Sequence, residues 1–233
     1  MEDEKFALLR SHYLFSGAEP QVVERLARHG LKIKKKKGES LFQKGDPGDA
    51  LYGIFEGKVA IATRISSGKE IFLNILEPGD FFGEIAFLDG LPRTAGATAF
   101  EDCTLLKVDR RDLLPILEQE PRLLQRFVEL LCERIRWTSD LIEEAAFMHL
   151  RARLAKRFVS FAIGYGHDEE RGIRIDLKLS QARIGQMMGV SREAVNKELR
   201  EWEESGWILR DGEYYIVTDL EALKAEVAKS LEF

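Results

Sequence analysis

The chain contains only two cysteines, Cys103 and Cys132, and neither belongs to a CxxC pair. They cannot supply the four ligands of a structural zinc or iron–sulfur site, and a disulfide would be unusual in a reducing compartment, so buried free thiols are expected. The four histidines, His12, His29, His149 and His167, are scattered and give little support to a metal or haem site. No apolar run approaches the ~20 residues that a membrane-spanning helix needs. The acidic start Met1-Glu2-Asp3-Glu4-Lys5 is not the pattern of a signal peptide. The expected compartment is the cytoplasm. An excess of basic residues is missing too, because 35 Lys and Arg against 40 Asp and Glu give a formal net charge of -5. That argues against a protein that coats nucleic acid everywhere and leaves room for a local basic face. Paired carboxylates, a catalytic triad and a metal-ligand set are all lacking, and no enzymatic activity is expected.

The 233 residues are 45% hydrophobic and 32% charged, a globular balance in a chain long enough for two modest domains. The stretch Gly79 to Ala99 carries the clearest chemistry. In Phe82-Gly83-Glu84-Ile85-Ala86, a glycine lets the backbone approach a ligand, and the short loop that follows ends in Pro92-Arg93-Thr94-Ala95. An arginine and a hydroxyl can together hold one phosphate. Glu84 between them suits a sugar hydroxyl. Taken alone, Glu84 and Arg93 would equally well form a surface ion pair on a hairpin.

In chain order, Phe6, Leu8, Leu9 and then Val22, Val23, Leu26 predict two short helices, with Pro20 opening the second. The run Lys32 to Lys37 predicts a solvated strand edge, since lysines blunt edges. From Gly38 to Val108, short apolar or alternating segments lie between turns such as Gly45-Asp46-Pro47-Gly48-Asp49, Glu56-Gly57-Lys58, Ser66-Ser67-Gly68 and Asp89-Gly90. Strands this short and evenly spaced predict a small barrel or jelly roll. Leu73 and Ala95 read equally well as pocket wall or as ordinary core.

After Arg110 the period changes. Pro121 opens a long helix in which Leu124, Val128, Leu131, Ile135, Thr138, Ile142 and Ala145 follow alternating steps of four and three, a coiled-coil seam that implies a parallel homodimer. A hydroxyl in such a seam either fixes register or binds something, which singles out Thr138 and its neighbour Ser139. The seam stops around Phe147, where a hinge is expected. Ile173 to Leu177 reads as a strand. Ser180 and Ser191 then cap two helices separated by Gly189, the pattern of a helix-turn-helix. On the second, Val195, Leu199 and Trp202 share one side, while Arg192, Glu193, Asn196, Lys197 and Arg200 share the other and suit base edges in a major groove. An ordinary solvent face with a Glu193–Lys197 pair remains the alternative. Trp207 to Arg210 and Tyr214 to Val217 form a hairpin wing around Asp211-Gly212. The final segment from Asp219 to Leu231 is amphipathic and has no assigned role.

The order from Phe82 to Ala95 resembles the phosphate-binding cassette of cyclic-nucleotide-binding domains, and cassette, dimer helix, hinge and winged helix-turn-helix occur in the order of the CRP/FNR family of bacterial transcription regulators. The resemblance covers nearly the whole chain. It implies an α+β fold: a beta-roll domain over residues 1–120, a dimerisation helix and hinge over 121–147, and a DNA-binding domain over 148–233. It also implies that Arg93 and Thr94 hold a cyclic phosphate, Glu84 the ribose 2′-hydroxyl, Gly83, Ile85 and Ala86 the backbone lining, and Thr138 and Ser139 the base. Cyclic AMP is the implied effector, with cyclic GMP open because Thr94 follows the cassette arginine. Ser191, Arg192, Glu193, Asn196 and Lys197 are the implied DNA contacts. Lys197 stands where the family pattern has arginine, which weakens the case for a bidentate guanine contact there. A palindromic double-stranded DNA operator, a second copy of the chain and RNA polymerase are the implied partners. A constitutive DNA binder and a regulatory module for another protein are the competing readings.

Overall fold

Leu8, Leu9, Val23 and Leu26 recur at helical spacing, and in the computed structural model they form the buried faces of α1 (Glu2–Ser11) and α2 (Pro20–His29). The structure describes residues 2–15, 17–64 and 70–230; the expected turn Ser66-Ser67-Gly68 and the end of the C-terminal segment at Leu231 lie outside them. The short alternating segments between turns follow as β1 (Leu31–Lys35), β2 (Ser40–Phe42), β3 (Ala50–Glu56), β4 (Val59–Arg64), β5 (Glu70–Leu76) and β6 (Phe81–Phe82). A short helix α3 (Glu84–Asp89), then β7 (Gly96–Ala99), β8 (Cys103–Asp109), α4 (Arg110–Gln119) and the long α5 (Pro121–Phe147) complete the first half.

The strands form two antiparallel four-stranded sheets, in the orders β1-β8-β3-β6 and β2-β7-β4-β5. Side chains alternate across a strand, so β3 can serve two cores at once. Ala50, Tyr52 and Ile54 pack with Phe82, Ala97, Ala99 and Leu105 between the sheets. Leu51 points the other way and packs with Phe81, Leu106 and Val108 against α1, α2, α4 and the start of α5. The lysine-rich β1 is an outer strand, paired among the described residues with β8 alone. Cys103 is a buried free thiol, as expected, while Cys132 is only half-buried.

The described chain divides into two units, Met1–Arg136 and Trp137–Phe233. The second takes in the end of α5 from Trp137 onward and continues with α6 (Leu150–Tyr165), β9 (Gly166–Glu169), β10 (Gly172–Ile175), α7 (Gln181–Met188), α8 (Arg192–Glu204), β11 (Ile208–Asp211), β12 (Tyr214–Val217) and α9 (Leu220–Lys229). Its sheet runs β11-β12-β10-β9. The expected wing is β11 and β12, and the expected strand over 173–177 ends two residues early because the Asp176 N–H turns to Tyr165 O. The hairpin partner β9 was not legible: Gly-His-Asp-Glu carries no apolar residue, and only its pairing with β10 makes it a strand. Phe158, Trp202 and Tyr215 meet edge to face at the centre of this unit.

Candidate functional site

The cassette is held from both ends by backbone bonds. The Gly79 N–H donates to Ile54 O, and Arg93 is fixed by its own N–H to Asp46 O and its carbonyl to the Gly45 N–H. Between them Gly83, at φ +85°, turns β6 into α3 in a left-handed conformation that an L side chain rarely adopts. A Cβ at this position would also fall 2.6 Å from Nη1 of Arg93.

Arg93 is the most unusual residue of the unit. It is only 3% exposed. Its Nη1 donates to Gly83 O at 2.9 Å and its Nη2 to Ala50 O at 2.7 Å, and the guanidinium lies over the Phe42 ring at 4.2 Å. The nearest acid, Asp49, is 3.9 Å away and largely exposed. The Arg93 Nε is buried and has no hydrogen-bond partner among the described residues. Burial presses the guanidinium below its usual pKa, with Tyr52, Asp49, Glu84 and Asp46 opposing that fall. A buried cation with a spare donor is a place for an anion.

Glu84 is buried as well, and it does not pair with Arg93 as a surface hairpin pair would. Its Oε1 accepts from Nε of Arg134 at 3.0 Å, and Arg134 also donates to Phe81 O at 3.2 Å. Sequence reading missed Arg134, which sits in α5 beside a seam position and carries no spacing signal. Ala86 is buried and Ile85 half-buried in α3, whereas Thr94 is exposed next to Arg93. Leu73 and Ala95 are both half-buried. Thr138 and Ser139 occupy an exposed turn of α5 within the second unit.

The second unit holds the other set of predicted residues. The Ser180 and Ser191 hydroxyls accept from the Arg183 and Ala194 N–H groups, and Gly189, at φ +69°, makes the turn between the helices. Val195, Leu199 and Trp202 are fully buried, so the opposite face of α8, with Arg192, Glu193, Asn196 and Lys197, is exposed. Glu193 makes no ion pair with Lys197 among the described residues; hydrogen bonds from its own N–H and the Ser191 hydroxyl hold its carboxyl below the ordinary range. Arg200 is drawn to Glu204 at 2.9 Å. Asn196 accepts from Gln181, a contact that sequence reading did not foresee.

A family model for the cyclic nucleotide-binding domain matches residues 32–120, and one for the Crp-like helix-turn-helix domain matches residues 152–226. The chain is 33% identical over 210 residues to the CRP-like cAMP-activated global transcriptional regulator of Mycobacterium tuberculosis, covering 90% of this chain and 94% of that one. It is 29% identical over 218 residues to the cyclic AMP receptor protein of Thermus thermophilus, covering 94% and 97%. Among solved structures, the c-di-GMP responsive global regulator CLP of Xanthomonas campestris matches with a TM-score of 0.76 at 20% identity, over 85% of this chain and 99% of that one. At that identity the likeness is one of fold.

Proposed function

The chain belongs to the CRP/FNR family of cyclic-nucleotide-binding, DNA-binding transcription regulators, and from that premise we propose that cyclic AMP is its effector and a palindromic operator its target. The observation that carries the effector reading is the Arg93 guanidinium, a preplaced buried cation whose Nε has no acceptor among the described residues. A cyclic phosphate would bind it with charge-assisted hydrogen bonds, with the Thr94 hydroxyl beside it and the backbone of Gly83, Ile85 and Ala86 lining the site. Glu84 keeps Oε2 for a ribose 2′-hydroxyl while Arg134 steadies Oε1. Thr138 and Ser139 are assigned to the base, and cyclic AMP is favoured over cyclic GMP by the activator named in the mycobacterial relative.

The dimer reading is supported by the seam itself. Leu124, Val128, Ile135 and Ile142 of α5 are exposed, Ile135 to 66%, and a second copy of the helix would cover them. The working division is the beta-roll over 1–120, the dimer helix and hinge over 121–147 and the DNA reader over 148–233, with α5 and α6 breaking at Met148 and His149. Nucleotide binding favours the hinge state in which two recognition helices, each with Ser191, Arg192, Glu193, Asn196 and Lys197, reach half-sites one helical turn apart. RNA polymerase is the partner through which DNA binding would act on transcription.

One observation favours a second reading. Arg93 already satisfies two of its donors on Gly83 O and Ala50 O, so the fold does not need a nucleotide to hold the arginine, and constitutive DNA binding is the alternative. Titration calorimetry with cyclic AMP and cyclic GMP, followed by a mobility shift with and without each, separates the two. The effector reading expects heat of binding for the wild type that Arg93→Ala abolishes, and DNA binding that requires nucleotide. Absence of binding by the wild type removes it, and nucleotide-independent DNA binding establishes the constitutive form.

A further inference from the structure

Gln181 is one of few polar side chains buried among the described residues, at 7% exposure. It opens α7, next to the cap Ser180, and its Nε2 donates to Oδ1 of Asn196 at 2.7 Å. A buried amide donor needs an acceptor, and this one finds it on the exposed face of the neighbouring helix. At 2.7 Å the bond is at the short end for N–H to O. Asn196 stands four residues after Arg192 and three after Glu193, within the row of side chains assigned to DNA.

The contact restricts what Asn196 can say to a base. An unconstrained asparagine reads adenine with both ends of its amide, the oxygen accepting from N6 and the nitrogen donating to N7. With Oδ1 turned to Gln181, the planar amide carries its two Nδ2 hydrogens away from α7, and donors are what it offers outward. Guanine is the base whose groove edge presents two adjacent acceptors, N7 and O6. We propose that Gln181 is a positioning residue which orients the Asn196 amide so that the recognition helix selects guanine over adenine at the base pair Asn196 meets. The inference rests on the reading of α8 as the helix that enters the groove.

The test is selection of bound sequences from randomised DNA by the full-length protein with cyclic AMP, using wild type, Asn196→Ala, Gln181→Glu and Gln181→Met. The wild type should enrich guanine at one column of each half-site, by about tenfold over adenine, and Asn196→Ala should flatten that column alone. Gln181→Glu supplies only an acceptor, so Asn196 must turn its nitrogen inward and its oxygen out, and the column should shift to a base with a donor, cytosine or adenine. Gln181→Met removes the partner and should admit adenine beside guanine. A merely structural contact would lower affinity for every site and leave the preference unchanged. Retention of guanine in both Gln181 variants, or an unaltered column in Asn196→Ala, overturns the proposal. Should Gln181→Glu lose its helical circular dichroism, the methionine variant decides alone. If the wild type enriches no sequence with cyclic AMP, with cyclic GMP or with neither, the DNA-reading premise has failed and the inference falls with it; enrichment without the Asn196 column fails the inference only.

Discussion

A guanidinium loses a great deal of hydration on burial, and Arg93 regains part of it from two backbone carbonyls and the face of Phe42. Arg93→Ala should therefore act twice. Besides removing nucleotide binding, it leaves Gly83 O and Ala50 O without that donor, which is expected to destabilise the first unit by about 1–3 kcal/mol, readable as a lower midpoint in urea. His12 shows burial acting on a weaker base. Its ring lies 4.7 Å from the rings of Tyr13 and Phe81, and burial lowers its pKa from the ordinary 6.5; Arg134 adds to the fall, and Asp80 and Glu133 oppose it. As pH drops below 6.5 the unfolded chain takes up a proton that the native ring refuses, so stability declines through that window down to the lowered native value. Thermal melts between pH 7 and pH 5 should show the decline, and His12→Phe should flatten it; equal slopes for the two proteins would exclude His12 as the source.

At the scale of elements, α6 is tied to two others by one side chain. Arg151 pairs with Glu198 at 3.0 Å and Glu201 at 2.8 Å on α8 and with Glu226 at 3.5 Å on α9, and it lies over the rings of Trp202 and Trp207. Arg151→Met keeps much of the stacking volume and leaves three carboxylates facing one another. The expected loss is about 2 kcal/mol for the second unit, deepest at low salt because screening relieves the repulsion. Melting curves at two ionic strengths check it, and a salt-independent loss would point to packing instead. The seam of α5 makes the second prediction at this scale. Ile135→Glu places a charge where an apolar side chain should meet its copy, and sedimentation should then report a monomer. A variant that sediments as the wild type does would show that α5 does not join two chains through this face.

For the whole molecule, the two functions are coupled only if the nucleotide prefers the state that binds DNA. Coupling is then reciprocal. If cyclic AMP tightens operator binding by some factor, operator must tighten cyclic AMP binding by the same factor. Calorimetry of nucleotide binding with and without a selected operator, set beside mobility shifts with and without nucleotide, should give matching ratios. Unequal affinity changes would mean that the two experiments do not share one equilibrium. With a net charge of -5, the long-range field of the chain repels DNA, so on the proposed reading affinity comes from the local face of α8 and from shape rather than from bulk charge.

The cassette was legible through its resemblance to a known family, and the helix α3 inside it, where the residues suggest a short loop, was not. Local order along the chain was enough to place the long helix and the helix-turn-helix, because each depends on residues a few positions apart: an apolar step of three or four in α5, a serine cap and turn glycine before α8. Those interactions are short-range, so residue order alone is enough to specify them. Three features arose only from distant parts meeting. Ala50 O reaches Arg93 from 43 residues away, Arg134 reaches Glu84 from 50 residues away, and Gln181 reaches Asn196 across the turn. Tertiary packing decided these because burial strips water from a polar group and forces it onto whichever partner the fold brings near, and no local pattern records which partner that will be.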